Sequence, residues 1–207
     1  MLYDLSRPLT PRTAVFPGDT RVAIAPVMRI ADGDSANVTA LTLSAHAGTH
    51  IDAPLHYADD GMGIDRVPLD RLIGPCRVVT IAGAGDVARE RLQAALGARV
   101  PPRVLIHTRA SDVPDDLWDP VFAAIEPAAV TWLGSLGVRL IGVDTPSVDP
   151  ATSKALPAHK ACLAADITII ENLRFGGVPD GDFELIALPI CIAGNDAAPA
   201  RVVLRSI

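Results

Sequence analysis

Three of the chain's five histidines and one aspartate lie in a single run of eleven residues, His46-Ala47-Gly48-Thr49-His50-Ile51-Asp52-Ala53-Pro54-Leu55-His56. Imidazole and carboxylate are standard ligands of zinc-type divalent ions, and imidazole is the side chain best suited to moving protons near neutral pH. Catalytic sites of this kind hold the ion with three protein ligands and keep one position open. The bland alternative is a turn-rich loop whose histidines are solvated or satisfied in the core. A cluster this dense in a histidine-poor chain points instead to a metal-assisted reaction, with hydrolysis the leading reading.

Neither regular backbone gathers these residues alone. On a helix His46 and His50 share a face, but Asp52 points away from both. On a straight strand positions 46, 50, 52 and 56 face one side, yet at about 3.3 Å per residue His46 and His56 stand roughly 33 Å apart. Gly48 can adopt backbone conformations closed to other residues. The sequence therefore predicts a strand over 37–45 that ends near His46, turns at Gly48, and folds His50 and Asp52 back toward His46.

Two more ligand types stand far downstream. His159, in Leu156-Pro157-Ala158-His159-Lys160, opens a short helical pattern, and Glu171 closes the apolar run Ile167–Ile170. Each alone reads as an ordinary residue. Together they could supply a second ion, with Asp52 bridging the two, and two-metal sites stabilise a developing oxyanion. His107 reads as a core histidine before a residue supporting the site, and Asp144 and Asp149 as loop formers first with a pocket role second. Gly83-Ala84-Gly85 lacks the third glycine of a dinucleotide fingerprint, and no phosphate-loop lysine follows. The segment Asp59-Asp60-Gly61-Met62-Gly63 reads as mobile enough to help close a pocket.

The elements that must position these groups are mostly short Val- and Ile-rich strands: Val22–Ile30, Asn37–Ala45, Arg77–Ile81, Arg103–Thr108, Arg139–Val143, Ile167–Ile170, Glu184–Ile192 and Val202–Leu204. Helical patterns cover Asp86–Leu96 with Asp86 as N-cap, Pro127–Leu136 closed by Gly137, and Pro157–Ala165. Strands outnumber helices and only the middle of the chain alternates. A single α/β domain over residues 1–207, with a mixed β-sheet or barrel-like core and flanking helices, fits this order.

Composition narrows the function classes. Of 207 residues, 49% are hydrophobic and 4% aromatic, so the core rests on aliphatic side chains and an aromatic near the site is informative. The net charge of -6, with no Lys/Arg run, speaks against nucleic acid and anionic membranes as partners. Cys76, Cys162 and Cys191 are far apart and lack zinc-type pairing, which suits reduced thiols in the cytoplasm. No apolar stretch reaches spanning length and no secretory leader pattern opens the chain.

The run His46–His56 resembles the His-x-Gly-Thr-His-x-Asp-x-Pro-x-His signature of the cyclase-like metal-dependent hydrolases. The similarity continues in Phe16-Pro17-Gly18-Asp19, Asp32–Val38, Gly74–Val78, Asp144–Asp149 and Phe183–Pro189, and these blocks look most like the bacterial kynurenine formamidases. The resemblance implies a mixed β/α fold and a homodimer. It implies one zinc on His46, His50 and Asp52, and a second on Asp52, His159 and Glu171, although the ligand types permit zinc, manganese or cobalt. It further implies that His56 gives and takes the proton, and that Phe16 lines the substrate pocket where relatives often carry Trp. Asn172 departs from the formamidase pattern, which has a smaller residue there. The activity so implied is hydrolysis of N-formyl-L-kynurenine to L-kynurenine and formate in tryptophan degradation, a small aromatic N-formyl amino acid being the substrate. The competing readings are a relative that opens a cyclic, isatin-like amide, and a non-catalytic metal-binding protein.

Overall fold

The Val- and Ile-rich runs of the middle of the chain become parallel strands in this structure, a computed structural model that describes residues Met1–Ile207. In chain order the strands are β1 (Leu2–Asp4), β2 (Ala23–Met28), β3 (Val38–Thr42), β4 (His50–Asp52), β5 (Ile73–Thr80), β6 (Arg103–His107), β7 (Leu140–Val143), β8 (Thr168–Glu171), β9 (Gly181–Pro189) and β10 (Ala197–Ser206). The helices are α1 (Leu69–Leu72), α2 (Arg89–Leu96), α3 (Pro127–Ser135) and α4 (Pro157–Ala164). Strands β5 to β8 run parallel, joined by α2, α3 and α4, as parallel crossovers require.

Seven strands close into a barrel in the order β10-β4-β8-β7-β6-β5-β9, with β9 pairing back onto β10. The long β10 makes the closure. Its first residues pair with β4 (Ala197 opposite Asp52, Pro199 opposite His50), and from Ala200 onward it pairs with β9. Strand β1 adds to β10 outside the ring.

The two-residue period of a strand sorts side chains between two cores. Leu105, Ile51, Ile170 and Phe175 fill the barrel interior. Val104, Ile106, Ile141 and Ile169 face outward and are covered by Leu92, Leu133 and Cys162 of the helices. Truncating a fully buried Leu105 in such a core costs about 2–5 kcal/mol.

Three expectations need correction. The strand predicted over 37–45 ends at Thr42 and pairs only with β2, in a two-stranded arm outside the barrel. Helix α2 begins at Arg89, because the Asp86 carboxylate accepts from Ala124 N (3.0 Å) instead of capping the helix. Strands β1 and β4 were not foreseen: each has three residues, and the His-Ile-Asp of β4 carries no strand pattern. Cys76 and Cys162 are buried, Cys191 is exposed, and none is paired. No helix is long and apolar enough to cross a membrane.

Candidate metal centre

Strand β4 puts Ile51 into the barrel interior and therefore His50 and Asp52 on the outer face. Its register with β8 sets His50 beside Glu171 and Asp52 beside Ile169, so Glu171 shares that face. Helix α4 lies over it and adds His159. All four of these side chains are buried.

His46 and His56 enter from the two ends of β4. Gly48 takes φ +64°, a conformation that L side chains rarely adopt, and that is what the turn needs of it; a Cβ there would stand 2.7 Å from Leu9 Cδ2, a side-chain tip that can shift. It brings His46 Nδ1 within 3.2 Å of Asp52 Oδ1. The predicted fold-back at Gly48 thus occurs, although no strand leads into it. After β4, a single 3-10 turn, Pro54–His56, returns His56 until its ring centroid is 4.2 Å from that of His46. Gly61 packs on this turn from behind: a Cβ would meet the Pro54 carbonyl carbon at 2.4 Å. The segment 59–63 is accordingly a buttress for His56, and it does not line the cavity at the site. Beyond β8, Asn172 adopts φ +57°, a left-handed turn that Asn tolerates better than most side chains.

The Asp52 carboxylate divides its oxygens between the histidines. Oδ1 lies 3.2 Å from His46 Nδ1 and 3.3 Å from His50 Nε2, while Oδ2 lies 3.5 Å from His159 Nε2. Glu171 repeats the arrangement, with Oε2 3.4 Å from His50 Nε2 and Oε1 3.5 Å from His159 Nε2. These are ionic separations without hydrogen-bond alignment. Of the five buried side-chain nitrogen and oxygen atoms lacking a hydrogen-bond partner, four are His50 Nε2, His159 Nε2 and both oxygens of Asp52; the fifth is Arg7 Nε. Leaving such atoms unpaired costs about 1–3 kcal/mol each, and here they converge on one point. A divalent cation fits this donor set. Two groups bring three ligand atoms within 4.8 Å of one another: His46, Asp52 and His56, and His50, Asp52 and Glu171. Asp52 belongs to both, His56 stands among the ligands, and His159 closes the cluster from α4.

Outer partners fix which nitrogen faces inward. His50 Nδ1 donates to the Gly48 carbonyl at 2.9 Å, and His159 Nδ1 to Asp149 Oδ2 at 2.7 Å, which leaves both Nε2 atoms toward the carboxylates. Asp149 also accepts from Ala158 N (2.9 Å) and His159 N (3.1 Å), satisfying free N–H groups of the first turn of α4. Asp196 Oδ2 lies 2.9 Å from His46 Nε2 and 3.5 Å from His56 Nδ1. Nothing in sequence marked Asp196, and Asp149 was marked first by its turn and only second for a pocket role. Asp144 is loop-shaping as read, accepting from Thr108 and Ser111 through backbone and side chain alike. His107 stays apart, tilted over Phe175 at 5.0 Å.

The electrostatics match an excess of negative charge. Burial favours a neutral Asp52, but the three imidazoles outweigh it and hold the carboxyl well below its usual range. Burial likewise opposes protonation of His50, yet Asp52 and Glu171 push it up to about 10. Burial of His159 is overcome by Asp149, Asp52 and Glu171, which push it up to about 12. Protonated imidazoles therefore supply the positive charge that a metal would otherwise bring, and metal binding must displace those protons. His56 differs: burial dominates and holds it below its usual value.

The cluster forms the floor of a cavity of about 360 Å³. Phe16, 44% exposed, meets Trp118 edge to face at 5.1 Å on one wall, with Phe122 beyond. Arg7 braces that wall by donating to Ala110 O (2.9 Å), Val113 O (3.3 Å) and Asp115 (2.8 Å). Sequence reading had Phe16 but missed Trp118, which sits in an irregular segment without periodicity.

A family model described as "Putative cyclase" matches residues 3–150. A solved structure described as a potential metal-dependent hydrolase with cyclase activity is similar at a TM-score of 0.84 and 28% identity, covering 99% of this chain and 96% of that one. A "predicted metal-dependent hydrolase" from Bacillus stearothermophilus gives 0.84 at 27% identity, covering 99% and 97%. An isatin hydrolase bound to the product analogue thioisatinate gives 0.82 at 22% identity, covering 98% and 91%, a likeness of fold.

Proposed function

Since this chain belongs to the cyclase family, we propose that it is a metal-dependent hydrolase that converts N-formyl-L-kynurenine and water to L-kynurenine and formate, a step of tryptophan degradation. The observation that carries this reading is the convergence of partnerless ligand atoms around Asp52 on the floor of a cavity with an aromatic wall. His46, His50, Asp52, His159 and Glu171 are the residues we assign to two divalent ions, zinc first and manganese second. Both metals accept imidazole and carboxylate ligands.

When bound, such ions make a coordinated water more acidic and polarise a carbonyl oxygen. The chain's own groups do the rest. His56, 30% exposed at the cavity and held neutral by burial, takes a proton from the attacking water. A C–O bond forms at the formyl carbon, the C–N bond breaks, and His56 returns the proton to the departing aniline nitrogen. Anilide nitrogen leaves poorly without that proton, so a general acid is required. Phe16 and Trp118 offer the substrate ring an edge and a face. Asp196 holds His56 and His46 from behind.

The partner we assign to the β2–β3 arm is a second copy of this chain. None of the residues of β2 or β3 is buried, and Ile24, Val27, Val38 and Leu41 are exposed. A lone two-stranded hairpin is marginal in water, so covering it in a homodimer suits its composition. Three unpaired cysteines suit a cytoplasmic setting.

The test is release of formate and kynurenine by purified protein, with and without chelator, beside an assay on isatin. Turnover of N-formylkynurenine that chelator removes and metal restores is the expected result. Chelator-resistant turnover removes the metal mechanism. Ring opening of isatin with no formamidase activity replaces this substrate with a cyclic amide.

A further inference from the structure

The cavity has a second polar feature, away from the metal ligands. Arg109 opens the short turn that follows β6, and its guanidinium pairs with Asp119 at 2.9 Å. Both residues line the cavity. The Arg109 side chain is 52% exposed and that of Asp119 24%, which places the pair at the mouth, whereas His50, His159 and Glu171 are buried on the floor. Arg7 and Arg109 are the two cationic side chains of the lining other than histidine. Arg7 is committed, with both terminal nitrogens on Asp115 and on the carbonyls of Ala110 and Val113. Arg109 has Asp119 and the Val121 carbonyl, and much of its fork faces solvent.

The support of this pair is firm. Asp144 accepts four hydrogen bonds from Thr108 and Ser111, fixing the turn on either side of Arg109. Asp119 follows Trp118 directly, so the aromatic wall and the carboxylate belong to one stretch of chain. From floor to mouth, the cavity therefore offers metal ligands, then aromatic rings, then the Arg109–Asp119 pair, with Asp19 as a further carboxylate of the lining.

We propose that Arg109 and Asp119 form a subsite for the α-amino-acid head of the substrate, Arg109 taking the carboxylate and Asp119 the ammonium. An exposed ion pair contributes only about 0–1 kcal/mol, so it is readily exchanged for two pairs with a zwitterion. The planar fork of Arg matches a carboxylate through two parallel hydrogen bonds. Opposite charges at one mouth select against a substrate bearing only one of them. This inference rests on the aryl-formamide reading above and adds the chemistry of the group farthest from the hydrolysed bond.

The experiment compares kcat/KM of the metal-loaded protein on N-formyl-L-kynurenine and on N-formyl-2-aminoacetophenone, the same aryl formamide without the amino-acid head. Wild type prefers the zwitterion. Arg109→Gln reduces that preference roughly ten- to a hundredfold, mainly through KM for the zwitterion, and Asp119→Asn reduces it less. Arg109→Lys, which keeps the charge without the fork, falls between wild type and Arg109→Gln. An unchanged preference in Arg109→Gln overturns the subsite while the aryl-formamide reading stands. Equal losses on both substrates overturn it in the same way, by assigning Arg109 a structural role. Wild-type protein inert on both compounds overturns the formamidase reading and the subsite with it.

Discussion

Strand β4 and the β2–β3 arm are built on opposite terms. The three residues of β4 are all buried, flanked by β10 on one edge and β8 on the other, and two of them are a histidine and an aspartate. Strands β2 and β3 carry β-branched residues that favour strands (Ile24, Val27, Val38, Thr39 and Thr42), yet they pair only with each other and none of their residues is buried. In the arm, local preference favours extended structure but does not by itself hold two strands together in water. In β4 the neighbours impose extended structure on residues with little preference for it, because closing the ring needs a strand there. The site is thus a product of closure within the chain, and the arm is left without a partner inside it.

That contrast can be broken first at its deepest point. Asp52→Asn removes the carboxylate shared by both ligand groups, and we expect loss of bound metal and of turnover while circular dichroism still reports the barrel; retained metal would move the centre elsewhere. His56→Ala should lower kcat about 10²- to 10⁴-fold with metal content intact. Loss of metal in that variant would make His56 a ligand, as its place beside His46 and Asp52 allows. Asp149→Asn, which loosens the orientation of His159, should weaken metal affinity about 10- to 100-fold in a competition titration, and an unchanged affinity would reduce Asp149 to a helix anchor.

Smaller effects come from pH and from the arm. In metal-free protein, His50 and His159 are raised above their ordinary 6.5, so their stabilising contribution is complete below 6.5 and fades as pH rises toward about 10 and about 12. Asp149 is lowered from 3.8 despite its burial, through His159 and two backbone N–H groups, so its contribution is present above 3.8 and is lost in acid. The melting temperature of chelated protein should peak between those values, with each kcal/mol worth about 2–4 °C; calorimetry showing a steady rise above 6.5 would remove the histidines from the account. On the arm, Val27→Glu with Leu41→Glu should leave metal content and barrel folding unchanged while reducing the mass seen by light scattering to that of one chain. A dimer that persists would place the contact on another face.

Much of the site was legible because its chemistry is carried by residue type. His46, His50, Asp52 and His56 stand out by density, and His159 and Glu171 by following a proline-opened helix and closing an apolar strand. The strands β6, β7 and β8 were readable for a related reason, being short Val- and Ile-rich runs between Gly, Pro and charged residues. What escaped reading depends on contacts distant in sequence. Strand β4 exists because β8 and β10 hold it, Asp196 matters only because β10 returns beside β4, and Trp118 becomes a wall only when Arg7 and Asp144 pin its segment. The segment 59–63 looked mobile from its glycines and aspartates, but Gly61 is there to let two stretches of backbone touch.

Strand β10 has one more consequence, in the order of synthesis. It emerges from the ribosome after all the other strands, yet it seals the edge of β4 and carries in Asp196 with it. Without it one edge of β4 keeps N–H and C=O groups free to pair with another molecule. A chain shortened before residue 197 would thus keep His46, His50, Asp52, His159 and Glu171 but lose the strand that covers the β4 edge. Closure of the ring and completion of the site are therefore one event.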